Sequence, residues 1–470
     1  MNKLVKSLKE AIRLSGLKVG MTISFHHHLR NGDFVLNMVM EEIANLGIRD
    51  ITVNASSLFD VHSPLVEHIK SKVVTGVAAD YISSGLGRAF SEGIMDKPIE
   101  FRTHGGRARD IASGKTPIDV AFVAAPSADP MGNASGKYGK SACGSLGYAY
   151  ADALHAHKVV VITDNLTEYP LTDWSISEDY VDYVVAVDAI GDPKGIVSGT
   201  TKITRDPVGL VMASHAAKVI EASGLLKDGF SFQTGAGGAS LAAAKFLKEI
   251  MLSKGIQGSF GLGGITSYMV DMLTSRCFKA LLDVQCFDLD AVESIKNNPA
   301  HREISAMQYA SQGSKSSVVD SLDVVILGAT EIDTDFNVNV HTDSNGYIMG
   351  GSGGHSDAAA GSKLSMIIAP MFRARLPIVT DRVTCISTPG KDIDVLVTQG
   401  GIAVNPQRTD LKECLLEASL PVIDICELKE KTEKITGKPH RLKKGDRVVA
   451  EVIGTEGTVI DRIYNVPLNN

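Results

Sequence analysis

Three adjacent histidines, His26-His27-His28, follow the apolar run 21–25 and precede Leu29-Arg30-Asn31. In an open parallel sheet the ligand crevice lies beyond the carboxyl ends of the strands. If the strand continues through this stretch, His26 and His28 share one face. They are then candidates for hydrogen-bonded or cationic contact with an anionic substrate. A metal reading lacks a clear third ligand, and an ordinary surface role stays open. Residues 101–109 place Arg102, His104, Arg107 and Arg109 around a Gly-Gly pair. Guanidinium groups grip carboxylates in a planar fork that lysine cannot match. The alternative is a solvated basic loop.

Glycine clusters form a second group. Gly261-Leu-Gly-Gly264 stands before a helix candidate at 265–273, and Gly350-Gly-Ser-Gly-Gly354 before His355-Ser-Asp. Gly235-Ala-Gly-Gly238 precedes a helix beginning near Ser240. Glycine loops that enter helices present backbone N–H groups to phosphate, carboxylate or a developing oxyanion. They also serve as plain tight turns. No GKS or GKT follows any of them, so none is a P-loop. None has the full dinucleotide fingerprint, which argues against a nicotinamide cofactor. There is no GxSxG nucleophile elbow, and no cysteine sits in an activating context. Glu331 and Asp357 are the best lone carboxylates, with helix capping the commoner role for Asp357.

The elements that must hold these residues alternate between strand and helix. Buried-strand candidates fall at 21–25, 51–53, 119–124, 158–162, 183–187, 323–327, 364–369 and 394–397, and a helix with 3.6-residue spacing at 34–46. Continuous Val/Ile runs between helices indicate mostly parallel sheets covered on both faces. Residues 447–453 and 458–464 flank Gly454-Thr-Glu-Gly457 and predict a C-terminal β-hairpin. Two segments repeat near an offset of 205: Gly16–Gly20 with Gly224–Gly229, and 118–123 with 322–327. The expected division is therefore two similar α/β domains, 1–210 and 211–470.

Composition narrows the function. With 47 basic and 54 acidic residues among 470, the net charge is −7, against a nucleic-acid coat. No apolar run reaches the roughly 18 residues of a membrane helix, and the N-terminus lacks a signal-peptide core. Six scattered cysteines without CxxC read as reduced thiols. A cytoplasmic location is expected.

Several segments in order resemble the coenzyme A transferases. They are GLKVGMTISFHHH at the first strand, IDVAFVAAPSADPMGNASG (118–136), LDVVILGATEIDTDFNVN (322–339), GGSGGHSDAAAG (350–361) and VLVTQGGIAVNP (395–406). FHHHLRNGDF, FRTHGGRARD and PSADPMGNASGKYGKSACGSLGYAYADA resemble the citrate-transferring branch of that family. The resemblance implies a two-domain fold and an exchange of acetate for citrate on the thioester of an acyl carrier protein. It implies no permanently bound cofactor and no metal, with a CoA-like phosphopantetheine arm brought by the carrier (gamma) chain. It also implies a beta chain that cleaves the citryl product, and an oligomeric assembly. Most of these transferases carry an S-E-N-G glutamate that forms an acyl-enzyme. The matching region, 280–288, has Asp283 and Asp288 but no Glu. Direct attack by citrate is therefore expected. On that reading His26, His28, Arg102, His104 and Arg107 bind citrate. Gly263, Gly264, Gly353 and Gly354 form the oxyanion loops, and Gly261, Gly350 and Gly351 meet the carrier's arm. The competing readings are a transferase or hydrolase with a glutamyl nucleophile such as Glu331, an anion-sensing or sugar-phosphate-isomerising protein, and a non-catalytic scaffold.

Overall fold

The computed structural model describes residues 2–197, 202–312, 314–439 and 444–467. The first half contributes β1 (Leu4–Val5), β2 (Thr22–Phe25), β3 (Ile51–Ala55), β4 (Val74–Ala79), β5 (Ile99–Phe101), β6 (Val120–Ala124), β7 (Lys158–Thr163) and β8 (Tyr183–Ala186). The second contributes β9 (Ser231–Thr234), β10 (Gly258–Ile265), β11 (Phe278–Cys286), β12 (His301–Glu303), β13 (Val324–Leu327), β14 (Leu364–Ile368), β15 (Val395–Thr398) and β16 (Gly401–Val404). A final hairpin is β17 (Val448–Ile453) and β18 (Val459–Tyr464).

These strands form two large sheets. The first runs β1-β8-β7-β6-β2-β3-β4-β5-β17-β18, and the second β16-β15-β14-β13-β9-β10-β11-β12. Every pairing is parallel except the hairpins β15–β16 and β17–β18. The order β8-β7-β6-β2-β3-β4-β5 in one sheet matches β15-β14-β13-β9-β10-β11-β12 in the other. The two echoed sequence segments fall on equivalent places, β2 with β9 and β6 with β13. The hairpin at 448–464, counted by sequence with the second half, adds to the edge of the first sheet. There Ala450 lies opposite Ile99 and Val452 opposite Phe101.

Local chemistry explains the elements. Val120–Ala124 and Val324–Leu327 are buried along their whole length, as strands covered on both faces must be. The helix Val35–Asn45 buries Val35, Leu36, Val39, Met40 and Ile43, one face at helical spacing. Asp33 starts it by accepting the N–H groups of Val35 and Leu36, both at 3.2 Å. Gly47 follows its end at φ +73°, a left-handed position that glycine takes without penalty. Among the described residues no helix is long and apolar enough to cross a membrane.

The Gly261–Gly264 run differs from the sequence expectation. It is not a loop but lies inside strand β10. A Cβ on Gly261 would stand 2.4 Å from Met269 Cε, and one on Gly264 2.3 Å from the Phe287 ring. These glycines let neighbouring side chains cross a buried strand.

Candidate active site

The carboxyl ends of both sheets face a common cavity of about 210 Å³. From the first sheet it is lined by His27 and Arg30 after β2, Phe59 after β3, Tyr81 after β4 and His104 after β5, with Tyr148 from the segment after β6. From the second come Gln285 at the end of β11, Phe287 beyond it, and the Gly351-Ser352-Gly353 segment. Cross-links between the halves fix this geometry. Gln285 Nε2 donates to the His27 carbonyl at 2.9 Å, and Ser145 Oγ to the Asp283 carbonyl at 3.0 Å. The His104 N–H donates to the Gly353 carbonyl at 2.9 Å, and the Gly105 N–H to Asp357 Oδ2 at 2.9 Å.

Arg30 is the only lysine or arginine among the lining residues. Its turn is unusual, since Arg30 holds φ +51°. Non-glycine residues in this region cluster at functional sites. The turn is held by close backbone packing: a Cβ on Gly32 would come within 1.9 Å of the Asp192 carbonyl oxygen. The guanidinium carbon lies 4.9 Å from the Phe287 ring centre and 5.5 Å from that of Phe59. Its Nη1 is buried and has no hydrogen-bond partner among the described residues. Burial lowers its pKa from the ordinary arginine value, yet a guanidinium stays charged at any physiological pH. A shelved, half-buried cation with a free N–H edge is ready to accept a carboxylate.

The histidines are arranged differently from the expectation. The strand ends at Phe25, so alternation no longer applies, and His27 rather than His26 or His28 lines the cavity. His26 Nε2 accepts the Ala124 N–H at 2.9 Å, and His26 and His28 touch through their Nδ1 atoms. Burial pushes the His26 imidazole down to about 4 and those of His27 and His28 well below their ordinary value. These shifts favour the neutral imidazole for all three, which in this arrangement offer hydrogen bonds rather than charge. His104 does line the cavity, and its Nδ1 lies 2.8 Å from Asp80 Oδ2.

The arginine cluster also turns inward, away from the cavity. Arg107 binds Asp152 with both terminal nitrogens, at 2.9 and 2.7 Å, and donates from Nε to Asn54 Oδ1 at 2.7 Å. Arg102 joins Glu100 and Asp110. Neither lines the cavity; both are engaged by carboxylates, and Arg107 also by an amide, from the same half of the chain. Burial raises Asp357 to about 6, and its Oδ1 has no hydrogen-bond partner among the described residues.

The glycine segment 350–354 is a loop before the helix His355–Gly361, as expected. Its N–H groups are not all free, however. Gly353 donates to the Asp80 carbonyl at 3.1 Å and Gly350 to the His341 carbonyl at 3.2 Å. The N–H groups of Gly351 and Ser352 meet no acceptor among the described residues. The tight path needs glycine: Cβ atoms on Gly351 and Gly354 would lie 2.2 Å from the Asp80 carbonyl oxygen and 2.5 Å from Tyr309 Oη. Gly263 and Gly264 abut Gln233 and Phe287 instead of opening N–H groups to the cavity.

None of the carboxylates considered as nucleophiles lines the cavity. Glu331 Oε2 accepts the Thr384 N–H at 2.7 Å and Asn339 Nδ2 at 3.1 Å. Asp288 caps the helix Leu289–Asn297 by accepting the Ala291 N–H at 2.9 Å. Asp283 lies 2.9 Å from His301 Nε2 and accepts from Cys286 Sγ at 3.0 Å. Asp283, Cys286 and His301 are also the described residues whose ligand atoms, within 4.8 Å of one another, could close on a metal. In this arrangement His301 and Cys286 both meet Asp283 Oδ2, while Asp283 Oδ1 has no hydrogen-bond partner among the described residues.

Two matched α/β sheets meeting at a shared cavity, with glycine-rich backbone on one side and a lone guanidinium on the other, define a CoA-transferase-like protein. A fold-level match supports that class: the Pseudomonas malonate decarboxylase hetero-tetramer contains a chain that superposes with TM-score 0.69 at 16% identity, covering 93% of this chain and 86% of that one. The family model "Citrate lyase, alpha subunit (CitF)" matches residues 1–466. The citrate lyase alpha chains of Klebsiella pneumoniae and Haemophilus influenzae are 51% and 50% identical over 464 residues, 99% of this chain and 91% and 93% of theirs. A Streptococcus mutans structure, described as the citrate lyase alpha subunit in complex with citrate, superposes with TM-score 0.97 at 50% identity, covering 99% of this chain and 92% of that one. The chain belongs to the citrate lyase alpha subunit family, the citrate CoA-transferase component of the citrate lyase complex.

Proposed function

We propose that the cavity between the sheets is where citrate replaces acetate on the thioester of an acyl carrier, by direct attack and without an acyl-enzyme. The observation that carries this reading is Arg30, whose buried Nη1 lacks a partner among the described residues and borders the cavity. One citrate carboxylate docks on that guanidinium. A second attacks the acetyl carbonyl, and the oxyanion that forms is met by the N–H groups of Gly351 and Ser352. The resulting acetyl-citryl anhydride is opened by the carrier's sulfur at the citryl carbonyl, releasing acetate. Holding both reactants in a small cavity supplies much of the rate. The carrier brings its own CoA-like arm, so this chain needs no resident cofactor. Citryl-carrier then passes to a beta chain that cleaves it.

The absence of any carboxylate at the cavity wall in the 280–288 region supports direct attack over a glutamyl intermediate. The exchange of labelled citrate against acetyl-CoA, a stand-in for the carrier, tests the reading. Arg30→Ala should raise the KM for citrate about 10- to 150-fold, the equivalent of about 1.5–3 kcal/mol for a charge-assisted hydrogen bond. Unchanged citrate dependence would remove Arg30 from the site. Reduction of a carboxylate of the chain by borohydride, after incubation with acetyl-CoA and no citrate, would overturn direct attack.

A further inference from the structure

An exchange by direct attack has an unfavourable branch point. When a carboxylate adds to a thioester carbonyl, the tetrahedral adduct can expel either oxygen or sulfur. A carboxylic acid has an ordinary pKa near 4 and a thiol one near 8.5, a gap of about 4.5 units. Carboxylate is the better leaving group by that margin, so the unassisted adduct falls back to citrate and thioester. Forward passage is favoured when sulfur leaves as a neutral thiol, taking a proton as the C–S bond breaks.

We propose that His104 is a catalytic residue that gives this proton to the departing sulfur and takes it back in the second half of the exchange, with Asp80 as its positioning residue. This rests on the reading of the cavity just given. Asp80 Oδ2 sits 2.8 Å from His104 Nδ1. Asp80 is buried, and a carboxyl partner at Nδ1 fixes the orientation of the ring. The opposite nitrogen, Nε2, is left for chemistry. It has no hydrogen bond among the described residues and lies 3.1 Å from the place a Cβ on Gly353 would take. The ring therefore stands beside the backbone that meets the oxyanion. The His104 N–H bond to the Gly353 carbonyl and the bridge between Thr103 and Gly353 lock that spacing. Tyr148 covers the ring, with centroids 4.3 Å apart. His27, the other imidazole on the cavity, has a serine hydroxyl as its partner, 2.7 Å away, and no carboxylate.

The steps balance. Citrate oxygen adds to the acetyl carbon, and the carbonyl pair moves to oxygen. The C=O re-forms, the C–S pair stays with sulfur, and the Nε2 proton moves to that sulfur. The products are the anhydride, a thiol and neutral His104. On return, Nε2 takes the thiol proton as sulfur adds to the citryl carbon, and acetate departs with the C–O pair. His104 ends protonated, and no net proton is consumed.

The test compares two acetyl donors with the full-length chain and citrate, reading citrate-dependent acetate release: acetyl-CoA, and S-(4-nitrophenyl) thioacetate, whose thiol is far more acidic. His104→Gln should slow citrate-dependent release from acetyl-CoA by about 10²- to 10⁴-fold, and release from the aryl donor by less than about 3-fold, because a stable thiolate needs no proton. Equal losses with both donors in a protein of native circular dichroism would overturn the proposal. Asp80→Asn keeps the imidazole and its ring contacts. It should show the same donor dependence with a smaller loss, and a donor-independent loss there also counts against His104. A wild-type chain that releases no acetate from either donor in citrate would instead refute the exchange itself.

Discussion

Replacing Arg107 with alanine should cost stability and leave citrate recognition alone, the reverse of what a basic cluster beside Gly-Gly suggests. Arg107 and Asp152 are 3% and 2% exposed, and they meet in a two-point fork with Asn54 filling the remaining Nε donor. Removing the guanidinium leaves the Asp152 carboxylate buried without a counter-charge. Breaking such a pair costs about 3–5 kcal/mol, mostly the desolvation of the orphaned partner. Unfolding entropy of about 2.1 cal/mol/K per residue gives about 1 kcal/mol/K over 470 residues, so the melting temperature should fall by about 3–5 °C. Arg107→Met with Asp152→Leu removes both charges together and should recover most of the loss. The assay is thermal unfolding of the single and double variants, followed by citrate dependence of exchange at a temperature where all are folded. A native melting temperature in Arg107→Ala, joined to a raised citrate KM, would refute the structural role and return this arginine to the substrate.

Two other outcomes follow from the cavity wall. Asp357→Asn keeps an acceptor for the Gly105 N–H but cannot ionise. The folded pKa of about 6 stands above the ordinary 3.8, so the carboxyl's contribution is fully present below pH 3.8 and lost as pH rises through 6. The difference, about 2 units, corresponds to about 3 kcal/mol. The Asp357→Asn variant should therefore gain stability on the wild type as pH rises from about 4 to about 7 in denaturant titrations, and parallel pH profiles would contradict it. Gly264→Ala places a Cβ 2.3 Å from the Phe287 ring that shelves Arg30. With a cation–π contact worth about 0.5–2 kcal/mol, citrate KM should rise about 2- to 30-fold with kcat less affected. An unchanged KM would show that the shelf does not orient the guanidinium.

The fold was legible where local chemistry decides it. The strand expected at 158–162 is Lys158–Thr163, the helix expected at 34–46 is Val35–Asn45, and the hairpin turns at Gly454-Thr-Glu-Gly457. Each carries its signal in its own residues: a β-branched run, a 3.6-residue stripe, a turn. Gly258–Ile265 was illegible for the opposite reason. Its glycines serve the side chains of Met269 and Phe287, distant in sequence, and a strand thinned for its neighbours reads as a loop. The site followed the same rule. That a crevice forms past the strand ends was readable, and His104 and Gly351 line it. Which basic residues stay unpaired was not. Asp152 and Asn54 lie 45 and 53 residues from Arg107 in sequence. Arg30 stood beside the histidines in plain sight, but its left-handed turn depends on packing against 191–195.

The cavity's charge balance then explains why so few residues act. Burial silences His26, His27 and His28 as cations, and carboxylates silence Arg102 and Arg107. That leaves one permanent positive charge, on Arg30, and one imidazole with a carboxylate behind it, His104. A site crowded with cations would bind citrate tightly in its ground state and gain nothing in the transition state. A single guanidinium orients one carboxylate and leaves another free to act as nucleophile. In the proposed exchange the Gly351 and Ser352 N–H groups meet negative charge that develops only after attack, so their contribution falls on the barrier. On the proposed reading the neutral histidines belong to the scaffold, and recognition and proton transfer rest on Arg30 and His104.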